Sequence, residues 1–281
     1  MGKYFHSFDG TRLFYIYHKG RLSNTLIFLH GVGGNWTVWK KEIEYFQSRG
    51  YSTLAFDLRG HGQSDAPEAF QRYQIPNFTR DIFALTKELK IRKFSLIGHS
   101  LGGAIALNYC ILNKRRSPLA LVLIESASTY PYDHNRLLNK KPYVTHFLRF
   151  IASHRLTYRH HFKHFKDIDL SVNGIASRLH IISHLMHLTP LCSMVRTLDN
   201  MEKYVFKNQQ NIDQAIKHLK IPTLLIAGEK DKVVPPKFSL LIKNLDKRAE
   251  LRILKEAHRV IIRNAEEVSK TIEGFLQKNV D

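Results

Sequence analysis

Phe94-Ser95-Leu96-Ile97-Gly98-His99-Ser100-Leu101-Gly102-Gly103 is the stretch that decides the fold. A short apolar run of strand type, Phe94–Ile97, runs into Gly98-x-Ser100-x-Gly102, and an apolar segment of helical type continues over Gly102–Leu112. The two glycines let the chain turn tightly with no Cβ in the way, which lifts the Ser100 hydroxyl above the sheet edge at the start of a helix. Alone, the five-residue pattern also fits a plain Gly-rich turn. The order strand, sharp turn, helix makes Ser100 a candidate nucleophile.

Outward from this stretch the same alternation repeats. Thr25–Leu29, Thr53–Phe56, Leu119–Ile124 and Pro222–Ala227 are short, nearly continuous apolar runs, and Glu250–Leu254 alternates more. Runs of that kind suit parallel strands buried on both faces. Helical stretches fall between them at Trp39–Arg49 and Asn77–Leu89, and 266–278 forms a last amphipathic helix with Val268, Ile272, Phe275 and Leu276 on one side. Residues 4–17 alternate on both sides of Asp9-Gly10, which predicts an opening antiparallel hairpin. The expected class is therefore α/β, a mostly parallel central sheet with helices on both faces. The alternation fails over 130–211, where no strand pattern occurs. This predicts an inserted helical cap, with the core in residues 1–129 and 212–281.

A serine hydroxyl is a weak nucleophile until a base accepts its proton and a third group orients that base. Downstream, Asp231 follows the run Pro222–Ala227 within Gly228-Glu229-Lys230-Asp231-Lys232-Val233-Val234-Pro235, and His258 follows Glu250–Leu254. Glu125 ends the run Leu119–Ile124 and is a second candidate for the acid. His99 reads as packing at the turn, and Asp57 and Arg59 read as residues that pin a turn.

Together these motifs resemble the α/β-hydrolase family, in its capped esterase and lipase-like branch, over essentially the whole core. His30-Gly31-Val32-Gly33-Gly34 looks like the family's oxyanion loop, and Asp57-Leu58-Arg59-Gly60-His61-Gly62-Gln63-Ser64 looks like the turn after the following strand. The chain departs from the usual pattern in having Ala257 before the histidine and Arg259 after it. The resemblance implies a triad of Ser100, Asp231 and His258, with the backbone N–H groups of Val32 and Leu101 as the oxyanion hole. It implies no cofactor and no metal. Serine at the elbow argues against the epoxide-hydrolase and dehalogenase branches, which use aspartate there. The implied activity is carboxylic-ester hydrolysis, of carboxylesterase or monoacylglycerol-lipase type. A lactonase, a thioesterase, a carbon–carbon bond hydrolase and a non-catalytic binder on the same fold remain as alternatives.

The 43 Lys and Arg against 24 Asp and Glu give a formal net charge of +19. Such a balance favours anionic partners, yet no nucleic-acid motif accompanies it. Between His134 and Asp199 the basic excess is densest, and Phe147, Ile151, Tyr158, Phe162 and Phe165 interleave with Arg149, Arg155, Arg159, Lys163 and Lys166. That pattern suits a weak contact with an anionic lipid surface, or a cap whose aromatic face packs on the core. The second is preferred, because a cap must bury an apolar side somewhere. His160/His164 and His180/His184/His187 have metal-compatible helical spacing, but a histidine-rich surface is the preferred reading of them. Two unpaired-looking cysteines, Cys110 and Cys192, and no apolar leader or spanning run of about 18 residues predict a soluble cytoplasmic protein. The partner expected is a small-molecule ester.

Overall fold

The computed structural model describes residues 2–131 and 189–280. The expectations for the aromatic and basic stretch after His134 and for its histidine pairs lie outside the described residues.

Eight strands form one sheet: β1 (Lys3–His6), β2 (Arg12–His18), β3 (Thr25–Leu29), β4 (Ser52–Phe56), β5 (Phe94–His99), β6 (Leu121–Ile124), β7 (Thr223–Gly228) and β8 (Glu250–Leu254). Their order across the sheet is β1-β2-β4-β3-β5-β6-β7-β8. The hairpin β1–β2 is antiparallel and meets β4 antiparallel; every pairing from β4 through β8 is parallel. Side chains alternate between the two faces, as the pleat requires. Ile27, Leu29, Leu54, Phe56, Phe94, Leu96, Leu121, Leu123 and Leu225 pack in one apolar cluster. Their neighbours Leu26, Phe28, Ala55, Ile97, Val122, Ile124, Leu224 and Ile226 pack in the other.

Helices α1 (Lys40–Ser48), α2 (Ile75–Glu88) and α3 (Leu101–Leu112) cover these clusters together with later helices. Phe78, Ile82 and Leu85 of α2 and Ile105 of α3 close the first face. Ile43 and Phe46 of α1, with Val268, Ile272, Phe275 and Leu276 of the last helix, close the second. Each fully buried Leu, Ile or Phe stabilises by about 1.5–3 kcal/mol, so the double-sided burial of the central strands dominates the fold's energetics. β8 is the sheet edge, where Arg252 and Ile253 are exposed, which explains its more alternating sequence.

Between β6 and β7 the described part of the insertion is the helix Leu191–Lys217. Its residues Met201, Val205, Ile212 and Ile216 join the first cluster. The expected border at 211/212 therefore falls inside one continuous helix, whose apolar stripe runs from the insertion onto the core.

The strand order reverses between β3 and β5: from β3 the chain steps to β4 on one side and then to β5 on the other. At such a switch point the loops leaving the carboxyl ends of the two strands diverge and open a crevice. His30–Gly34 follows β3 and Ser100 follows β5, so the fold itself puts these two segments at the crevice.

Candidate active site

Ser100 sits between the end of β5 and the start of α3 with φ 53 and ψ −117. A non-glycine residue in that left-handed region costs about 1–3 kcal/mol and persists only where its surroundings enforce it. Here they do. Ser100 N–H donates to the Ile124 carbonyl at 2.9 Å, and the Ser100 carbonyl accepts from Gly103 and Ala104 N–H at 3.1 and 3.2 Å. The Ser126 hydroxyl donates to the same carbonyl at 3.0 Å. Gly98 and Gly102 are required by close approach: a Cβ on Gly98 would overlap the Gly102 carbonyl, and one on Gly102 would overlap the Leu29 carbonyl. Leu101 is the first residue of α3, so its N–H has no intrahelical acceptor and stays available.

The loop after β3 is fixed from below. His30 is buried; its Nε2 accepts the Leu58 N–H at 3.0 Å and its Nδ1–H donates to the Gly31 carbonyl at 2.8 Å. Burial holds its pKa well below the usual imidazole range. Asp57, also buried, accepts from Trp36 N–H and Gln63 N–H, both at 2.8 Å, and so ties the β3 loop to the turn after β4. Arg59 pairs with Asp81 and Asp9, fastening the N-terminal hairpin to α2. Asp57 and Arg59 thus hold turns, as their place in the sequence suggests. Val32 lies in the loop that Asp57 fixes and packs against the first cluster.

Asp231 and His258 come from the loops after β7 and β8. Asp231 Oδ2 lies 2.7 Å from His258 Nδ1. Its other oxygen accepts from Val233 and Val234 N–H at 2.7 and 2.9 Å, so the carboxylate cannot swing away without breaking a turn. Bonded through Nδ1, the imidazole keeps Nε2 free as an acceptor. Of the two acids, Asp231 has the direct bond; Glu125 Oε2 stands 3.9 Å from the same Nδ1.

Glu125 and His99 are closer to this centre than the sequence suggests. His99 Nε2 lies 3.0 Å from Glu125 Oε2, and the His99 ring faces that of His258 with centroids 4.9 Å apart and planes at 38°. His99 is therefore a neighbour of the His258 imidazole and not merely packing at the turn. The physical reason is lateral: β5 and β6 are adjacent with His99 opposite Ile124, so Glu125 emerges beside His99. Only the pairing of those two strands, which no local pattern carries, could have revealed it. Burial depresses the His99 pKa far below 6.5, with the His258 charge acting in the same direction. Burial pushes Glu125 up to about 8. His99, Glu125 and His258 place three ligand-type atoms within 4.8 Å of one another. Hydrogen bonding explains that proximity, since Asp231 occupies His258 Nδ1 and His99 occupies Glu125 Oε2.

The model of the alpha/beta hydrolase fold matches residues 24–155, from β3 through the elbow and β6. An esterase from Exiguobacterium antarcticum superposes with a TM-score of 0.75 at 18% identity, covering 99% of this chain and 100% of that one. The chain has the α/β-hydrolase fold. Among proteins on this fold it is 26% identical to epoxide hydrolase 3 of Xenopus tropicalis, over 96% of this chain and 76% of that protein. It is 25% identical to the AB hydrolase superfamily protein YisY of Bacillus subtilis, over 89% and 90% of the two. In this chain the inserted helical region lies between β6 and β7. Among the described residues no helix is long and apolar enough to cross a membrane.

Proposed function

We propose that this α/β-hydrolase cleaves carboxylic esters through an acyl-enzyme on Ser100. The observation that supports the reading most is the 2.7 Å bond from Asp231 to His258 Nδ1, in loops at the same sheet edge as the strained elbow that carries Ser100. In the reaction His258 Nε2 takes the Ser100 proton as Oγ attacks the ester carbonyl. The charge that develops on the carbonyl oxygen is met by the N–H groups of Val32 and Leu101. Collapse of the tetrahedral intermediate breaks the bond to the alcohol, which leaves with the proton from His258. Water, deprotonated by the same imidazole, then cleaves the acyl-enzyme and restores Ser100. Asp231 keeps the proton-bearing nitrogen of His258 turned away from Ser100 and stabilises the imidazolium.

Proteins similar to this chain carry the names of an esterase and of an epoxide hydrolase. A serine at position 100 favours the first, because attack of its Oγ on an epoxide carbon would open the ring to an alcohol and leave that carbon joined to the serine as an ether that water cannot cleave. An ester, lactone or thioester yields an acyl group that water removes. Among these, a carboxylesterase or monoacylglycerol-lipase type of substrate is the reading adopted, with a small-molecule ester as the partner.

A series of nitrophenyl esters of increasing acyl length, hydrolysed by the wild type and by Ser100→Ala, tests the proposal. Wild-type turnover that depends on chain length and disappears in Ser100→Ala is the expected result. Equal hydrolysis by the two proteins would overturn it.

A further inference from the structure

Glu125 has no part in the reaction above, yet the fold places it beside the reacting imidazole at a cost. It follows β6 with φ 48, a second non-glycine residue in the left-handed region on the strand next to the elbow. Its side chain is 0% exposed. Oε2 lies 3.0 Å from His99 Nε2 and 3.9 Å from His258 Nδ1, and accepts the Val260 N–H at 3.3 Å. Oε1 has no hydrogen-bond partner among the described residues. An ordinary carboxylate at a strand end reaches solvent and needs neither strain nor burial. Here two carboxyl groups converge on one imidazole nitrogen.

We infer that Glu125 is a positioning residue for His258: a second carboxyl, steered by its backbone turn and by His99, that supports the imidazole and takes over its orientation when the Asp231 bond is lost. The inference rests on His258 acting as the base of the proposed reaction. The groups that face Glu125 are His99 from β5, Asp231 from the loop after β7, and Glu256 and His258 from the loop after β8. Burial raises its carboxyl first; His258 pulls it down, and Asp231 and Glu256 push it up. With His99 neutral, a protonated Glu125 donates to His99 Nε2 and offers His258 little. Ionised, it becomes an acceptor, and closing 3.9 Å to a bond of about 2.8 Å needs a shift of only about 1 Å. Its support of His258 therefore grows with pH.

The test is the rate at which a fluorophosphonate labels Ser100, followed by intact mass from pH 6 to 9.5. Four proteins are compared: wild type, Glu125→Gln, Asp231→Ala and the double variant. Asp231→Ala is chosen because Asn at 231 would turn an amide N–H toward Nδ1 and favour the wrong tautomer. Asp231→Ala is expected to label faster than the double variant, by an excess that grows about tenfold over two pH units as Glu125 passes from about a tenth to about nine-tenths ionised. Losing the Asp231 charge lowers the Glu125 pKa, so the rise is centred below 8. Should Asp231→Ala not fold, the ratio of wild type to Glu125→Gln serves alone, and is expected to change between pH 7 and 9. A labelled Ser100 with superimposable pH profiles, with and without Glu125, overturns this inference and leaves the serine reading standing. No adduct at Ser100 in the wild type at any pH overturns both.

Discussion

The ends of β5 and β6 and the ends of β7 and β8 supply the same site by opposite means. On the first side Ser100 and Glu125 both stand at positive φ, fully or nearly buried, with glycines whose missing Cβ atoms let strand, loop and helix touch. On the second side Asp231 and His258 sit in loops whose geometry is set by hydrogen bonds: Oδ1 to two N–H groups, Oδ2 to the imidazole. One half of the site is thus shaped by close packing and strain; the other shares one such close approach, of Gly228 to the Glu256 carbonyl, and is otherwise held by polar contacts that single substitutions remove without distorting the core. Changes to the polar side chains on the β7–β8 side are expected to show in chemistry with little loss of stability, and changes to the glycines on the β5–β6 side are expected to show in stability.

The largest expected effect is on the polar side: His258→Ala should lower kcat for an activated ester by roughly 10^6-fold while leaving the melting temperature near that of the wild type. Next, Asp231→Asn should lower kcat by about 10^4-fold, because the amide stabilises the wrong tautomer of His258. Steady-state kinetics checks both, and a loss under tenfold in either would break the division. On the packed side, Gly102→Ala should destabilise by about 1–3 kcal/mol, since its Cβ would meet the Leu29 carbonyl backbone. Urea denaturation measures it; an unchanged midpoint would show that the elbow is not set by packing.

The remaining effect is a dependence on pH. The folded-state pKa of Glu125, about 8, lies above its unfolded value, so native protein binds the extra proton between them. That contribution to stability is fully present at acid pH and is lost as pH rises toward 8. The melting temperature of Glu125→Gln relative to wild type should therefore climb between pH 5 and pH 8 and level off above. Parallel curves would mean that Glu125 titrates normally.

The contrast also explains what the sequence discloses. The strand, turn and helix around Ser100 are local, and the glycine constraint is written into neighbouring residues, so the elbow is legible. The double-sided apolar runs announce the parallel strands for the same reason. The choice between Asp231 and Glu125 is not local: each follows a strand, and only the strand order and the approach to one ring nitrogen separate 2.7 from 3.9 Å. His99 reads as packing because its true neighbour, Glu125, is twenty-six positions away in sequence. The helix Leu191–Lys217 blurs the expected edge of the insertion because an apolar stripe continues across it with no glycine or proline to mark a boundary.

The central claim is that Ser100 is a nucleophile activated by His258. Intact-mass analysis after treatment with a fluorophosphonate, followed by peptide mapping, tests it most directly. One adduct per chain on Ser100 in the wild type, absent from Ser100→Ala and strongly slowed in His258→Ala, is the predicted result. An unmodified wild type, or an adduct that persists in Ser100→Ala, would contradict it.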